Sequence, residues 1–252
     1  MRTTLLALGA ALVLTSCAST ATRNDGTVYD PFEGWNRGVY GFNNVVDEAV
    51  LEPVAKGYRA VTNEPIRGGV SNFLTNLRQP VVFANAVLQG KPETALDTVG
   101  RFLVNTTVGI GGIFDPATAA GVPKHREDFG QTLGVWGVPE GAYLMLPLMG
   151  PSNLRDAFGS GVDVGLNPLT YSQFEDDIEF RIVTNGMAAI AARESLIEQV
   201  EVLREQPEPY IALRRNYTQQ RQAAIRDGAE LEDPFANLPE FDDYDFGDDE
   251  EE

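Results

Sequence analysis

The sequence predicts a mostly α-helical protein with a Gly/Pro-rich irregular middle. Apolar residues recur at spacings of three and four through most of the chain. Alternation of period two is weak, which argues against a β-barrel. Beyond the N-terminal leader, no apolar stretch reaches the 18 residues expected of a membrane-spanning helix. A chain of 252 residues, 43% hydrophobic and 22% charged, suits one folded domain.

The leader comes first. Arg2 supplies a short positive segment, and residues 3–13 an apolar run of signal-peptide length, too short to span a bilayer. Leu14, Thr15 and Ser16 then precede Cys17, the single Cys of the chain, in a pattern that resembles a bacterial lipobox. Residues 1–16 are assigned as a lipoprotein signal peptide and Cys17 as the acylated new N-terminus; an ordinary signal peptide with an incidental Cys is the alternative. Two or more acyl chains hold a protein on a bilayer without a transmembrane helix, at about 0.8 kcal/mol per buried methylene. Residues 18–28 are small and polar and form a flexible tether. Ala18, where some bacterial lipoproteins carry Asp, favours export to the outer membrane by similarity to those proteins.

The body follows over residues 29–228. Trp35, Val39, Phe42, Val46 and Ala49 lie near one face of a first helix. Ile66, Val70, Phe73, Leu74 and Leu77 form a second, which Pro80 interrupts before a short apolar helix over 81–89. Pro92 opens a helix with Leu96, Val99, Phe102 and Leu103 on one side. Residues 109–168, rich in Gly and Pro, read as loops. Within them, 141–150 is nearly all apolar and fits either a buried strand or a lipid-facing piece. A long helix over about 176–205 has Asp176 and Asp177 at its positive end and stops before Pro207 and Pro209. A last helix begins at Pro209, carries Tyr210, Leu213, Tyr217 and Ile225, and meets Gly228 as its C-cap.

Charge and chemistry narrow the function. The net charge is −18, but residues 229–252 hold 12 acidic residues and no basic one, so the rest carries only −6. That tail reads as a disordered, solvated extension; recruiting a partner or collecting cations is the sharper alternative. The acidic balance excludes a nucleic-acid binder. One Cys and one His exclude a disulfide framework and a Cys/His zinc site. His125 sits in a charged stretch without a nucleophile beside it, and Phe158-Gly159-Ser160-Gly161 departs from G-x-S-x-G. The glycines at 109, 111 and 112 lack the third Gly of a dinucleotide fingerprint. An enzyme, a cofactor and a metal are therefore not expected.

Several phrases occur in a fixed order behind the lipobox. They are Asp30-Pro31-Phe32-Glu33-Gly34-Trp35-Asn36-Arg37, Tyr40-Gly41-Phe42-Asn43, Asn85-Ala86-Val87-Leu88-Gln89-Gly90 and Arg101-Phe102-Leu103-Val104-Asn105-Thr106-Thr107-Val108-Gly109. Gly111-Gly112-Ile113-Phe114-Asp115, Glu127-Asp128-Phe129-Gly130-Gln131-Thr132-Leu133-Gly134, Gly137-Val138, Leu146-Pro147, Gly150-Pro151-Ser152 and Arg155-Asp156 complete the series. Over residues 29–228 the chain resembles the MlaA (VacJ) family of outer-membrane lipoproteins; the acidic tail lies outside the resemblance.

That resemblance implies a ring-shaped bundle of amphipathic helices lying in the periplasmic leaflet of the bacterial outer membrane. It implies removal of mislocalised phospholipid from the outer leaflet through an amphipathic channel, and transfer to a soluble periplasmic lipid carrier. A trimeric porin is the further implied partner. Asn105, Thr106 and Thr107, with Gly109, Gly111 and Gly112, are the candidates for channel lining. Tyr40 and Asn43 are the candidates for gating. Helix capping and packing would use the same residue types at both places. The competing function is a structural or partner-recruiting surface lipoprotein without transport activity.

Overall fold

The computed structural model of the chain describes residues 28–171 and 177–227. The leader, Cys17, most of the tether, Gly228 and the acidic tail therefore lie outside the described residues. A helical run opens the body: α1 (Glu33–Val46), a π-helical turn (Asp47–Leu51) and α2 (Glu52–Val61). Next come α3 (Glu64–Leu88), α4 (Pro92–Thr107), α5 (Pro116–Ala119) and α6 (Phe129–Val135). Strands β1 (Tyr143–Leu146) and β2 (Gly150–Asn153) form one antiparallel hairpin, with Tyr143 opposite Asn153 and Leu146 opposite Gly150. Then follow α7 (Leu154–Leu166), a 3-10 turn (Pro168–Tyr171), α8 (Asp177–Ser195), α9 (Ile197–Arg204) and α10 (Pro209–Ile225). The fold is mostly helical. Helix α3 packs along α4, α6 on α7, α2 on α8, and α10 across α6 and β2.

Local chemistry explains the helix starts. Asn63, Asp115, Asp128 and Asn153 each accept a hydrogen bond from the backbone N–H three residues on. Each such cap contributes about 1 kcal/mol.

Four elements differ from the sequence expectation. Helix α3 runs unbroken through Pro80, with Gln79, Val81 and Val82 buried beside it. Packing on α4 offsets the cost of an interior Pro, about 3 kcal/mol. The first helix does not stop near residue 50; the π turn carries it into α2. The long helix is two: Leu196 leaves helical geometry between α8 and α9. On either side of that break, Arg193 reaches Asp47 at 2.6 Å and Arg204 reaches Glu52 at 2.6 Å, clamping α8 and α9 to the π turn and α2. Hydrogen bonds from Lys56 and Arg204 hold the Glu52 carboxyl down at about 2. Finally, the Gly/Pro-rich middle contains α5, α6, the hairpin and α7, because turn residues there cap short elements rather than replace them.

The interior is unusually polar. Among the described residues, Asn36, Asn76, Asn85, Arg101, Asn105, Arg155 and Asp156 are all buried. One ionic node joins three helices. Arg221 of α10 lies 2.6 Å from Asp128, the cap of α6, and 2.8 Å from Asp156 in the first turn of α7. Asp156 also accepts from Tyr217 at 2.6 Å and from Asn153 at 2.7 Å. Burial alone would raise the Asp128 carboxyl, but the Arg221 guanidinium outweighs it and holds the group below its ordinary value. The stability this contributes is complete above the ordinary carboxylate pKa and is lost as pH falls through the lower, folded value.

Removing one partner of a buried node leaves the others unpaired. Arg221→Ala is expected to lower the unfolding free energy in detergent by about 3–5 kcal/mol. Chemical denaturation checks this. The same variant should lose part of the stability drop that the parent protein shows below about pH 4.

Candidate functional site

The long helices turn their apolar faces outward. On α1, Trp35 is 69% exposed and Phe42 52% exposed, while Asn36 and Val39 face the interior. Leu96, Leu103 and Val104 of α4 are exposed while Thr98, Arg101 and Asn105 are buried. Helix α7 exposes Leu154, Phe158 and Val164 and buries Arg155 and Asp156. Helix α8 exposes Ile178, Ile182 and Val183. Single exposed apolar residues are ordinary on soluble proteins, but repeated rows of them mark an interaction surface. No helix among the described residues is long and apolar enough to cross a membrane. The pattern suits helices that meet hydrocarbon from the side.

Helix α1 also holds the hairpin, through two asparagines seven residues apart. Asn36 accepts from the Met145 N–H at 2.8 Å and donates to the Tyr143 carbonyl at 3.1 Å. Asn43 donates to the Leu146 carbonyl at 3.0 Å and accepts from the Leu148 N–H at 2.8 Å. Seven helical residues rise about 10.5 Å. Three strand residues rise about 10 Å, so the two periodicities match. Strand β1 pairs with β2 on one edge; on the other, the Tyr143 N–H donates to the Tyr29 carbonyl at 3.0 Å and the α1 side-chain amides meet the groups that remain. Asn36 further donates to Asp30 at 2.7 Å; Asp30 accepts from Arg214 at 2.7 Å and from the Tyr210 hydroxyl. Tyr40 meets the Tyr210 ring edge-on at 5.8 Å between centroids. Burial, reinforced by Asp30, pushes the Tyr210 phenol well above its ordinary pKa. The apolar segment 141–150 is a buried strand over part of its length and exposed over the rest. Ala142, Tyr143 and Met145 are buried, whereas Leu148 and Met149 are exposed at the hairpin tip.

The second candidate group sits where α4 ends. Asn105 donates to Asp115 at 2.9 Å and accepts from the Ala117 N–H at 3.1 Å. Arg101 contacts both Asp115 oxygens at 2.8 Å. Burial opposes ionisation of Asp115, but donors from Lys124, Thr118 and Asn105 hold its carboxyl far below the usual range. Thr106 accepts from Asn76 of α3 at 2.9 Å, and Thr107 donates to the Leu103 carbonyl at 2.7 Å. Gly109, Gly111 and Gly112 then carry the chain through a tight loop. A Cβ on Gly109 would stand 2.4 Å from the Phe114 carbonyl oxygen. One on Gly112, at φ +93°, would stand 2.4 Å from Asn76. Asn72 ties the far side of the loop through the Ile113 carbonyl, 3.3 Å away. So braced, the loop holds Val108, Ile110, Ile113 and Phe114 outward, and Ile110 adopts a left-handed backbone at φ +54°.

Tyr40 and Asn43 thus meet at the hairpin, and Asn105 through Gly112 meet at the loop. Among the described residues no hydrogen bond or ring contact joins the two groups. Asn105 is committed to Asp115, whereas Thr106, Thr107 and Gly111 face outward in part. Sequence reasoning missed Asn36, Asn72, Asn76 and Asp156. The available signal was asparagine at helical spacing, 36 with 43 and 72 with 76, beside outward apolar residues. Among the described residues no group of His, Cys, Asp and Glu is placed to hold a metal ion.

Comparison with known proteins agrees with this architecture. The model of the MlaA lipoprotein family matches residues 28–224. The chain is 37% identical over 235 residues to the intermembrane phospholipid transport system lipoprotein MlaA of Escherichia coli, covering 92% of this chain and 91% of that protein. It is 35% identical over 235 residues to the protein of the same name from Haemophilus influenzae, covering 92% and 93%. A solved structure described as "Structural basis for maintenance of bacterial outer membrane lipid asymmetry" superposes with a TM-score of 0.69 at 36% identity, covering 78% of this chain and 98% of that one.

The two asparagines of α1 carry different loads. Asn36→Ala leaves Asp30 and two buried backbone groups short of a partner and should cost about 3 kcal/mol. Asn43→Ala, half-buried, should cost about 1 kcal/mol and accelerate hydrogen exchange at the Leu148 N–H more than at Met145. Exchange rates read by mass spectrometry or NMR check the order.

Proposed function

As the chain belongs to the MlaA lipoprotein family, we propose that it is an outer-membrane lipoprotein that removes mislocalised phospholipid from the outer leaflet and so maintains lipid asymmetry. One observation carries this reading: the long helices place apolar rows outside and amides, guanidinium groups and carboxylates inside. A phospholipid crossing hydrocarbon must carry a polar head through it, and an unpaired polar group there costs several kcal/mol. A protein with a greasy rim and a polar, wet passage lowers that barrier. Non-helical backbone at membrane depth is tolerated where it lines such a passage. Thr106, Thr107 and the glycine loop are the proposed lining. The hairpin tip, tethered by Asn43, is the proposed gate, because breaking two hydrogen bonds frees it, and Tyr40 packs at the base of the hairpin.

Acylation at Cys17 would fix the molecule to the periplasmic leaflet, the apolar helix rows adding to its hold. Lipid leaving the passage would pass to a soluble periplasmic carrier, and a trimeric porin would flank the molecule in the membrane. None of these steps needs a reactive group.

Deleting the gene should raise outer-leaflet phospholipid and detergent sensitivity, read by outer-leaflet lipid labelling and growth in detergent. Unchanged leaflet composition would sink the transport reading. Cys17→Ala should abolish acylation and outer-membrane sorting, seen by radiolabelled-lipid incorporation and membrane fractionation. A protein still acylated in that variant contradicts the anchor assignment.

A further inference from the structure

Away from the hairpin and the glycine loop, the first turn of α4 and the stretch before α6 enclose an open cavity of about 700 Å³. Charged side chains dominate its lining. Lys91, Lys124 and Arg126 supply three fixed cations, and Glu93, Glu127 and Asp227 three carboxylates. Some are already engaged: Lys91 lies 3.3 Å from Glu127 and 2.5 Å from Asp227, and Lys124 lies 2.8 Å from Asp115. Arg126 and Glu93 are exposed, and among the described residues neither side chain makes an ion pair or hydrogen bond.

Equal numbers of opposite charges discriminate between ligands. A simple anion entering the cavity meets three carboxylates, and a simple cation meets three ammonium or guanidinium groups. A molecule carrying both signs escapes both penalties. The adjoining surface adds a second requirement. Leu96, one turn beyond Glu93, is 74% exposed, and Leu103, two turns further along the same face, is 55% exposed. This apolar track continues to Val108 and the loop beyond it. From residue 96 to 108 the rise is about 18 Å. The hydrocarbon depth of one leaflet is about 15 Å. A charged cavity at one end of such a track matches an amphiphile.

We propose that this cavity docks the headgroup of a zwitterionic phospholipid. The phosphodiester lies toward Arg126 and Lys124, the ammonium toward Glu93, and the acyl chains along Leu96 and Leu103. The inference rests on the phospholipid reading above and adds headgroup selection to it.

The test uses the full-length acylated protein in detergent, given equal amounts of phosphatidylethanolamine and phosphatidylglycerol with the same acyl chains. Retained lipid is measured by mass spectrometry. The parent protein should retain phosphatidylethanolamine several-fold in excess. Arg126→Glu and Glu93→Lys, both at exposed positions, should each reduce that retention by about tenfold, as loss of one charge-assisted contact implies. The double reversal should recover part of it. Soluble glycerophosphoethanolamine should compete at millimolar concentration and inorganic phosphate should not. Equal retention of the two lipids, unchanged retention in both variants, or equal competition by inorganic phosphate overturns the inference and leaves the transport reading standing. A parent protein that retains no phospholipid at all overturns both.

Discussion

Helices that turn rows of apolar residues outward carry part of their polar side chains inward. Trp35, Phe42, Leu103, Phe158 and Ile182 point outward from four helices, so Asn36, Arg101, Asn105, Asp156 and Arg193 are driven inward. In hydrocarbon or in a dry interior an unpaired polar group costs far more than one in water. Most of the interior polar groups are accordingly gathered into hydrogen-bonded networks. Arg221 bridging Asp128 and Asp156 is one, Asp30 with Asn36, Arg214 and Tyr210 a second, and Asp115 with Arg101 and Asn105 a third. The first two join segments distant in sequence, and the third closes the loop after α4. Charge pairing and amide bonding do here what apolar packing does in a water-soluble helical domain.

This requirement accounts for the two irregular parts of the molecule. Strand β1 would present an unpaired edge, which is costly anywhere and worse beside lipid. Asn36 and Asn43, at a helix spacing matched to strand rise, close that edge together with the Tyr29 carbonyl. The turn after α4 solves a similar problem by contact rather than by extra bonds. Without a Cβ, Gly112 lets the loop backbone press against Asn76, whose amide reaches Thr106. Both devices hold apolar residues outward on a firm base, Leu148 and Met149 in one case and Ile110 and Phe114 in the other. Left-handed backbone at Leu148 and Ile110 is tolerated because the surroundings pin it.

The likeness to the lipoproteins of E. coli and H. influenzae extends over most of the chain. On the proposed reading the molecule moves lipid at a bilayer. Its surface must be soluble in hydrocarbon while its interior tolerates charge. The cavity at the start of α4 is where those two properties adjoin, with charged groups at one end of an apolar helix face.

Helical class, the positions of most helices and the phrases that carry the family were all legible in the sequence, because periodicity and local turn chemistry are short-range properties. Asp128 three residues before Gln131, or Pro92 opening α4, acts on its own neighbourhood. The direction of each apolar face was not legible. A stripe such as Trp35, Val39 and Phe42 has the same period whether it meets a protein core or lipid, and here Val39 turned in while Trp35 and Phe42 turned out. The survival of α3 across Pro80 and the break at Leu196 likewise depended on partners outside their own helices. Local sequence fixes what a segment can become; which of its faces is buried is set by the groups that tertiary packing brings against it, since the cost of an unpaired charge or amide is decided only there.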